Sequence, residues 1–238
     1  MVGTRRFPAG GQQATSPGGL LLVVRPWQLA GEYLMHGSAK PPGVIRRAFS
    51  SERAEVARTV AAAFASDPAW GWLLGAEYER LAPKFVGALF DLRVGSGNVW
   101  VSDDIATVAM WESPGGVDGS SEQHEQVWAR YRAVAGERAY QRLVLYSDGL
   151  AAVSPAEPYW YLGVLATQPA RQREGLATAA LEPVLEQADR TGLACCLETS
   201  TAPNRRFYEH RGFVESTDVP LPSGPPTWWL RRPAAAQP

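Results

Sequence analysis

Residues Tyr161 to Leu181 read YLGVLATQPARQREGLATAAL. An apolar run that ends at Thr167 has the texture of a strand buried on both faces, and Gly175 with the small residues after it opens a helix. Between them, Gln168 to Glu174 form a loop whose backbone N–H groups face the same point as the helix N-terminus, and such a point attracts phosphate. Gly175 lets backbone approach an anion closely, and Ala177 keeps the next turn slim. The bland reading is that a glycine simply begins a helix.

A second stretch, LETSTAPNRRFYEHRGF from Leu197 to Phe213, places Asn204 and Tyr208 four residues apart, on one face of a helix, where both can address one ligand. Phe207 and Phe213 are expected to pack in the core. The two stretches together resemble the two signature motifs of the GNAT family of N-acetyltransferases, whose Q/R-x-x-G-x-G/A pattern stands here as Gln172-Arg173-Glu174-Gly175-Leu176-Ala177. The similarity runs from Ile45 to Pro233. Segments such as EPYWYL and GPPTWWLRRP bring it nearest to the branch that acetylates puromycin.

The resemblance implies an α/β fold in which a mixed central sheet, with a splayed parallel strand pair, is flanked by helices. It implies acetyl-CoA as co-substrate and no metal. Leu165, Ala166 and Thr167 would line the pantetheine arm, and the backbone from Gln172 through Arg173, Glu174, Gly175, Leu176 and Ala177 to Thr178 would hold the pyrophosphate. Asn204 would bind the amide arm, and Tyr208 would return a proton to the leaving sulfur as general acid. Relatives often carry glycine where Arg173 stands. Arg173 therefore either adopts ordinary dihedrals, strains the loop, or reaches a phosphate oxygen.

The rest of the chain is read around these motifs. VIRRAF suits a short strand; Ser51, Glu52 and Glu55 begin a helix whose Val56, Val60 and Phe64 fall at helical spacing, and SDPAWGWLL ends it. A further helix is expected from Pro83, two strands in NVWVSDDIATVAMWE, one polar helical region over residues 122–147, and strands in LACCLETS and TWWLRR. An amine must lose a proton before it attacks a thioester. Glu198 is the first candidate base, with Glu112 and Asp67 as alternatives. Asp67, Trp70, Trp72 and Glu112 are candidate acceptor-binding residues, against a reading in which both tryptophans are core and Asp67 sits in a helix-ending turn.

Composition narrows the classes. Twenty-three basic and 24 acidic residues, interspersed, leave no electrostatic footprint for nucleic acid or anionic lipid. Cys195 and Cys196 are adjacent in an apolar run, and the three histidines lack ligand spacing, which favours a reduced, cytoplasmic, metal-free protein. Residues 1–43 read as a poorly ordered extension, 44–233 as the acetyltransferase domain and 234–238 as a tail. GLLLVV is too short to cross a membrane. The expected function is transfer of an acetyl group to a small-molecule amine, such as an antibiotic of the puromycin type. Acetylation of a peptide or protein, or non-catalytic acyl-CoA binding, are the alternatives.

Overall fold

A computed structural model describes residues 43–114 and 121–235. All of these fall within one unit of the chain, Lys40–Pro238. Apart from Gly43, the expected N-terminal extension lies outside the described residues, as do residues 236–238 of the tail.

Strand β1 (Ile45–Arg47) leads through a 3-10 turn into helix α1 (Arg53–Ala63), followed by α2 (Pro68–Leu74) and α3 (Tyr78–Asp91). A hairpin of β2 (Val99–Ser102) and β3 (Thr107–Glu112) precedes α4 (Ser121–Ala135) and α5 (Glu137–Ala151). Then come β4 (Tyr159–Thr167), α6 (Leu176–Thr191), β5 (Ala194–Thr199), α7 (Ala202–Glu209), β6 (Glu215–Asp218) and β7 (Trp228–Arg232). They build a seven-stranded sheet in the order β1-β2-β3-β4-β5-β7-β6. Among the described residues its only parallel contact is β4 with β5, which α6 connects by a crossover.

That parallel pair is short. It runs from Tyr159 opposite Ala194 to Leu162 opposite Leu197, after which β4 continues for five residues without β5. On the other side of β4, Met110 faces Val164 and Trp111 faces Leu162, so Gly163 is the extra residue of a β-bulge. The bulge reverses the inside–outside parity of the strand. Before it, Trp160 and Leu162 pack with α6 residues such as Leu181 and Val184; after it, Val164 and Ala166 pack in the opposite core with Val56 and Phe85. The run expected to be buried on both faces therefore alternates in burial, because its odd-numbered residues border open space on one face and then on the other.

Three further expectations are corrected, and one strand goes unannounced in the sequence. Asp67 does not end α1; its carboxylate accepts from the N–H groups of Ala69 (2.9 Å) and Trp70 (3.0 Å) and so starts α2, with Pro68 at the first helical position. Helix α3 begins five residues before Pro83, and burial of Leu81, Ala82 and Phe85 outweighs the one ladder bond that the proline lacks. Residues 122–147 belong to two helices, separated by Gly136 at φ +80°, a conformation that ends α4. Strand β6 is exposed along its whole length and so carries no apolar alternation to announce it. Among the described residues no helix is long and apolar enough to cross a membrane.

The cap gives a test of this architecture. Asp67→Ala leaves two helix N–H groups without their acceptor and should cost about 1–2 kcal/mol of stability, read as a lower urea midpoint at unchanged m-value.

Candidate active site

The loop between β4 and α6 is held from both sides. Arg171 pairs with Asp104 of the β2–β3 turn (2.6 Å) and with Glu174 (2.8 Å), and the Gln172 side chain donates to the Thr167 carbonyl (3.3 Å). Asp104, hydrogen-bonded by Ser102 and paired with Arg171, is held down at about 2. With the loop anchored, Arg173 takes φ +67° and Gly175 φ +84°. Arg173 is thus in the left-handed region that side chains resist, and the strained alternative of the sequence reading is the one adopted. A Cβ on Gly175 would meet no protein atom within 4 Å, so the glycine is required by its dihedral and the space beside it is open. Gly175 gives α6 no side-chain cap, which leaves the first-turn N–H groups directed outward.

A cleft of about 500 Å³ lies against this nest. Leu165 and Thr167 line it from β4, Gln172, Arg173, Gly175, Leu176, Ala177 and Thr178 from the loop and α6, and Asn204 and Tyr208 from α7. Ala166 is turned into the opposite core, and Glu174 is engaged by Arg171 outside the lining. The sequence reading missed three lining residues: Arg171, Phe207 and Arg211. Phe207, expected in the core, is half-buried under the Arg211 guanidinium at 3.5 Å. Arg211 also donates to the Phe207 carbonyl and the Thr178 hydroxyl, which ties α7 to the first turn of α6, while its Nε has no protein partner. Burial lowers its pKa.

A second cavity, about 470 Å³, opens on the other face of the sheet. Aromatic side chains line it from six different elements, Trp70, Phe85, Trp128, Tyr146, Tyr161 and Trp229 among them. Glu112 and Glu198 line it as well, whereas Asp67 and Trp72 do not. Gly163 borders this cavity and Leu165 the other, so one strand reaches both within two residues, about 7 Å. Both lie where β4 and β5 have parted.

Glu198 is the first β5 residue beyond the last ladder pair. Tyr161 Oη donates to its Oε2 at 2.6 Å, and Tyr146 Oη reaches toward Oε1 at 3.5 Å. Burial pushes the Glu198 carboxyl up to about 7; the Tyr161 hydrogen bond opposes that rise, the nearby Glu112 charge adds to it and Arg93 subtracts. Glu112 itself is ion-paired with the buried Arg93, a residue the sequence reading did not single out. Tyr208, eight per cent exposed, is held protonated far above the usual tyrosine range by burial and then by the Glu198 charge, felt across the gap between the strands. A carboxyl that titrates near neutrality thus faces one cavity, and a phenol that keeps its proton faces the other.

Comparison with known proteins gives this arrangement its context. Residues 107–213, from β3 past the end of α7, match the model of the Acetyltransferase (GNAT) family. An uncharacterized N-acetyltransferase of Schizosaccharomyces pombe is 27% identical over 188 residues, covering 74% of this chain and 76% of its own. The chain is an acyltransferase with the GNAT fold. Solved GNAT-like structures agree with that fold. One from Corynebacterium glutamicum, described as histone acetyltransferase HPA2 and related acetyltransferase, superposes with TM-score 0.59 at 22% identity, covering 82% of this chain and 98% of its own. An arylalkylamine N-acetyltransferase of Aedes aegypti gives 0.52 at 12% identity, covering 80% and 98%. An agmatine N-acetyltransferase gives 0.52 at 14%, covering 79% and 98%. GNAT acyltransferases use acetyl-CoA as co-substrate. The left-handed turn at Arg173 and Gly175, the uncapped N-terminus of α6 and the Arg211 guanidinium lining the cleft make a donor set that fits its phosphates.

The raised Glu198 pKa has a cost in stability. Folding lifts it from 4.5 to about 7, so the folded protein holds the extra proton between those values and stability falls as pH rises through that window, by at most about 3 kcal/mol. Urea denaturation at pH 5 and pH 8 should show the wild type losing stability on going to pH 8, and Glu198→Gln should flatten that difference.

Proposed function

We propose that this chain transfers the acetyl group of acetyl-CoA to the primary amine of a small molecule with an aromatic body, the chemistry of an antibiotic amine of the puromycin type, in a resistance or detoxification role. One observation carries the reading: a cleft beside the uncapped N-terminus of α6 and a cavity with aromatic walls open on opposite faces of the sheet where β4 and β5 part, with Tyr208 on one side and Glu198 on the other. A cavity walled by helices α2 to α5 as well as by strands suits a small molecule better than an extended peptide.

Gln172 to Thr178 would hold the co-substrate's pyrophosphate by backbone N–H groups, with Arg173 and Arg211 adding charge, and Leu165, Thr167 and Asn204 would flank its arm. The group supplies an acyl carbon activated as a thioester. An acceptor amine with pKa about 10.4 arrives protonated, and Glu198, ionised above about 7, takes that proton and frees the nitrogen lone pair. As the C–N bond forms and the C–S bond breaks, the nitrogen gives up a second proton, and the sulfur needs one. Tyr208 donates its phenolic proton to the sulfur and is recharged from the proton released at nitrogen. Burial, which keeps Tyr208 protonated, and partial burial of Glu198, which brings it near neutrality, thus serve opposite ends of one reaction.

The test is an amine panel with acetyl-CoA and mass detection of the product; absence of any acetylated amine would overturn the reading. Tyr208→Phe keeps the ring and removes the donor, so kcat should drop by about 10² or more with little change in acetyl-CoA affinity. For the cleft, Arg173→Gly should relieve about 1 kcal/mol of left-handed strain while weakening acetyl-CoA binding, so stability and affinity should move in opposite directions in calorimetry.

A further inference from the structure

The aromatic cavity has three charged lining residues: Glu198, Glu112 and Arg93. Arg93 stands two residues beyond the end of α3 and is only four per cent exposed. It donates to the Leu89 carbonyl at 2.9 Å and forms the ion pair with Glu112, while its Nε is buried without a partner among the described residues. Its guanidinium lies against the bulge, within 3.1 Å of where a Cβ on Gly163 would be. The glycine that reverses β4 is therefore also the residue that makes room for this cation.

The charge balance of the cavity follows. Arg93 neutralises Glu112, and Glu198 is the remaining carboxylate. The reacting amine uses that one. A second positive group on the acceptor would enter an aromatic-walled cavity whose other carboxylate is already held, and would meet the Arg93 guanidinium as a like charge. A carboxylate on the acceptor fares no better, since Arg93 is committed to Glu112 and Glu198 repels it.

We propose that Arg93 is a specificity-determining residue, which by holding Glu112 restricts the acceptor to amines bearing a single positive charge and excludes diamines, amino-guanidines and amino acids. This rests on reading the aromatic cavity as the acceptor site. Arg93→Leu releases Glu112 to receive a second cation, so it converts the cavity toward diamines. Arg93→Lys keeps a cation beside Glu112 and retains the exclusion.

The experiment compares kcat/KM for 2-phenylethylamine, cadaverine and phenylalanine in the wild type, Arg93→Leu, Arg93→Lys and the double variant Arg93→Leu with Glu112→Gln. The wild type should prefer 2-phenylethylamine to either of the others by about 100-fold or more, since an unpaired buried charge costs several kcal/mol. Arg93→Leu should raise kcat/KM for cadaverine about tenfold or more, chiefly through KM, and the Glu112→Gln change should abolish that gain. A wild type that acetylates cadaverine or phenylalanine as well as 2-phenylethylamine would overturn the proposal without any variant, and so would a folded Arg93→Leu with an unchanged substrate ratio. If none of these amines is acetylated, nor any other in the wider panel, it is the acceptor-site reading itself that fails.

Discussion

Strand β4 can pair with β5 over only four residues, and most of the site is arranged around that limit. The bulge at Gly163 begins where the parallel ladder ends, and the extra residue turns the strand over. Without it, Leu165 and Thr167 would stay on the face of Tyr159 and Tyr161, and the cleft at the α6 N-terminus would lose its strand-side wall. Where the strands part, a cavity borders β4 on each face of a sheet that is otherwise covered by core. A reaction between a long anionic thioester and a separate amine needs both to reach one point from different directions. The split sheet supplies that point.

The same gap explains the protonation states. Glu198 lies just past the last ladder pair, so it is packed by protein yet open to a cavity, and desolvation dominates its titration. The Tyr161 hydrogen bond and the positive charge of Arg93, which lines the same cavity, moderate the rise. Tyr161 is in turn fixed by stacking on Trp229, with ring centroids 5.6 Å apart and planes 9° apart. The position of the Glu198 carboxyl therefore depends on packing between β4 and β7, and not on β5 alone.

What the sequence made legible was contiguous. The loop and α6 could be read because anion binding by backbone N–H groups needs a glycine, a helix start and a preceding strand in that order, and all three occur within Thr167 to Thr178. Asn204 and Tyr208 could be read because helical spacing placed them together. The aromatic cavity is drawn from residues between Trp70 and Trp229, so Arg93, Tyr146 and Tyr161 carry no local sign that they share one wall. Two signals were present and misread. Ser-Asp-Pro is an N-cap followed by a proline at the first helical position, and a lone glycine inside an apolar strand marks a bulge. Asp67 shows the consequence, since its carboxylate serves the α2 backbone and lies outside the cavity lining.

The arginines of the cleft divide by partner. Arg171 is balanced by Asp104 and Glu174 and acts as a strut that fixes the loop to the β2–β3 turn. Arg211, partly desolvated on the Phe207 ring, has no acidic partner among the described residues, and neither has Arg173. A cation withdrawn from water without a counter-charge is unfavourable by itself and would be favourable beside an anion, so incomplete pairing of Arg211 would add to the affinity of the cleft for an anion. Arg173 carries a further cost in its left-handed dihedral, which a glycine would avoid. An arginine there makes physical sense only if its side chain contributes something that glycine cannot, and beside a nest of N–H groups that contribution is a positive charge for the same anion.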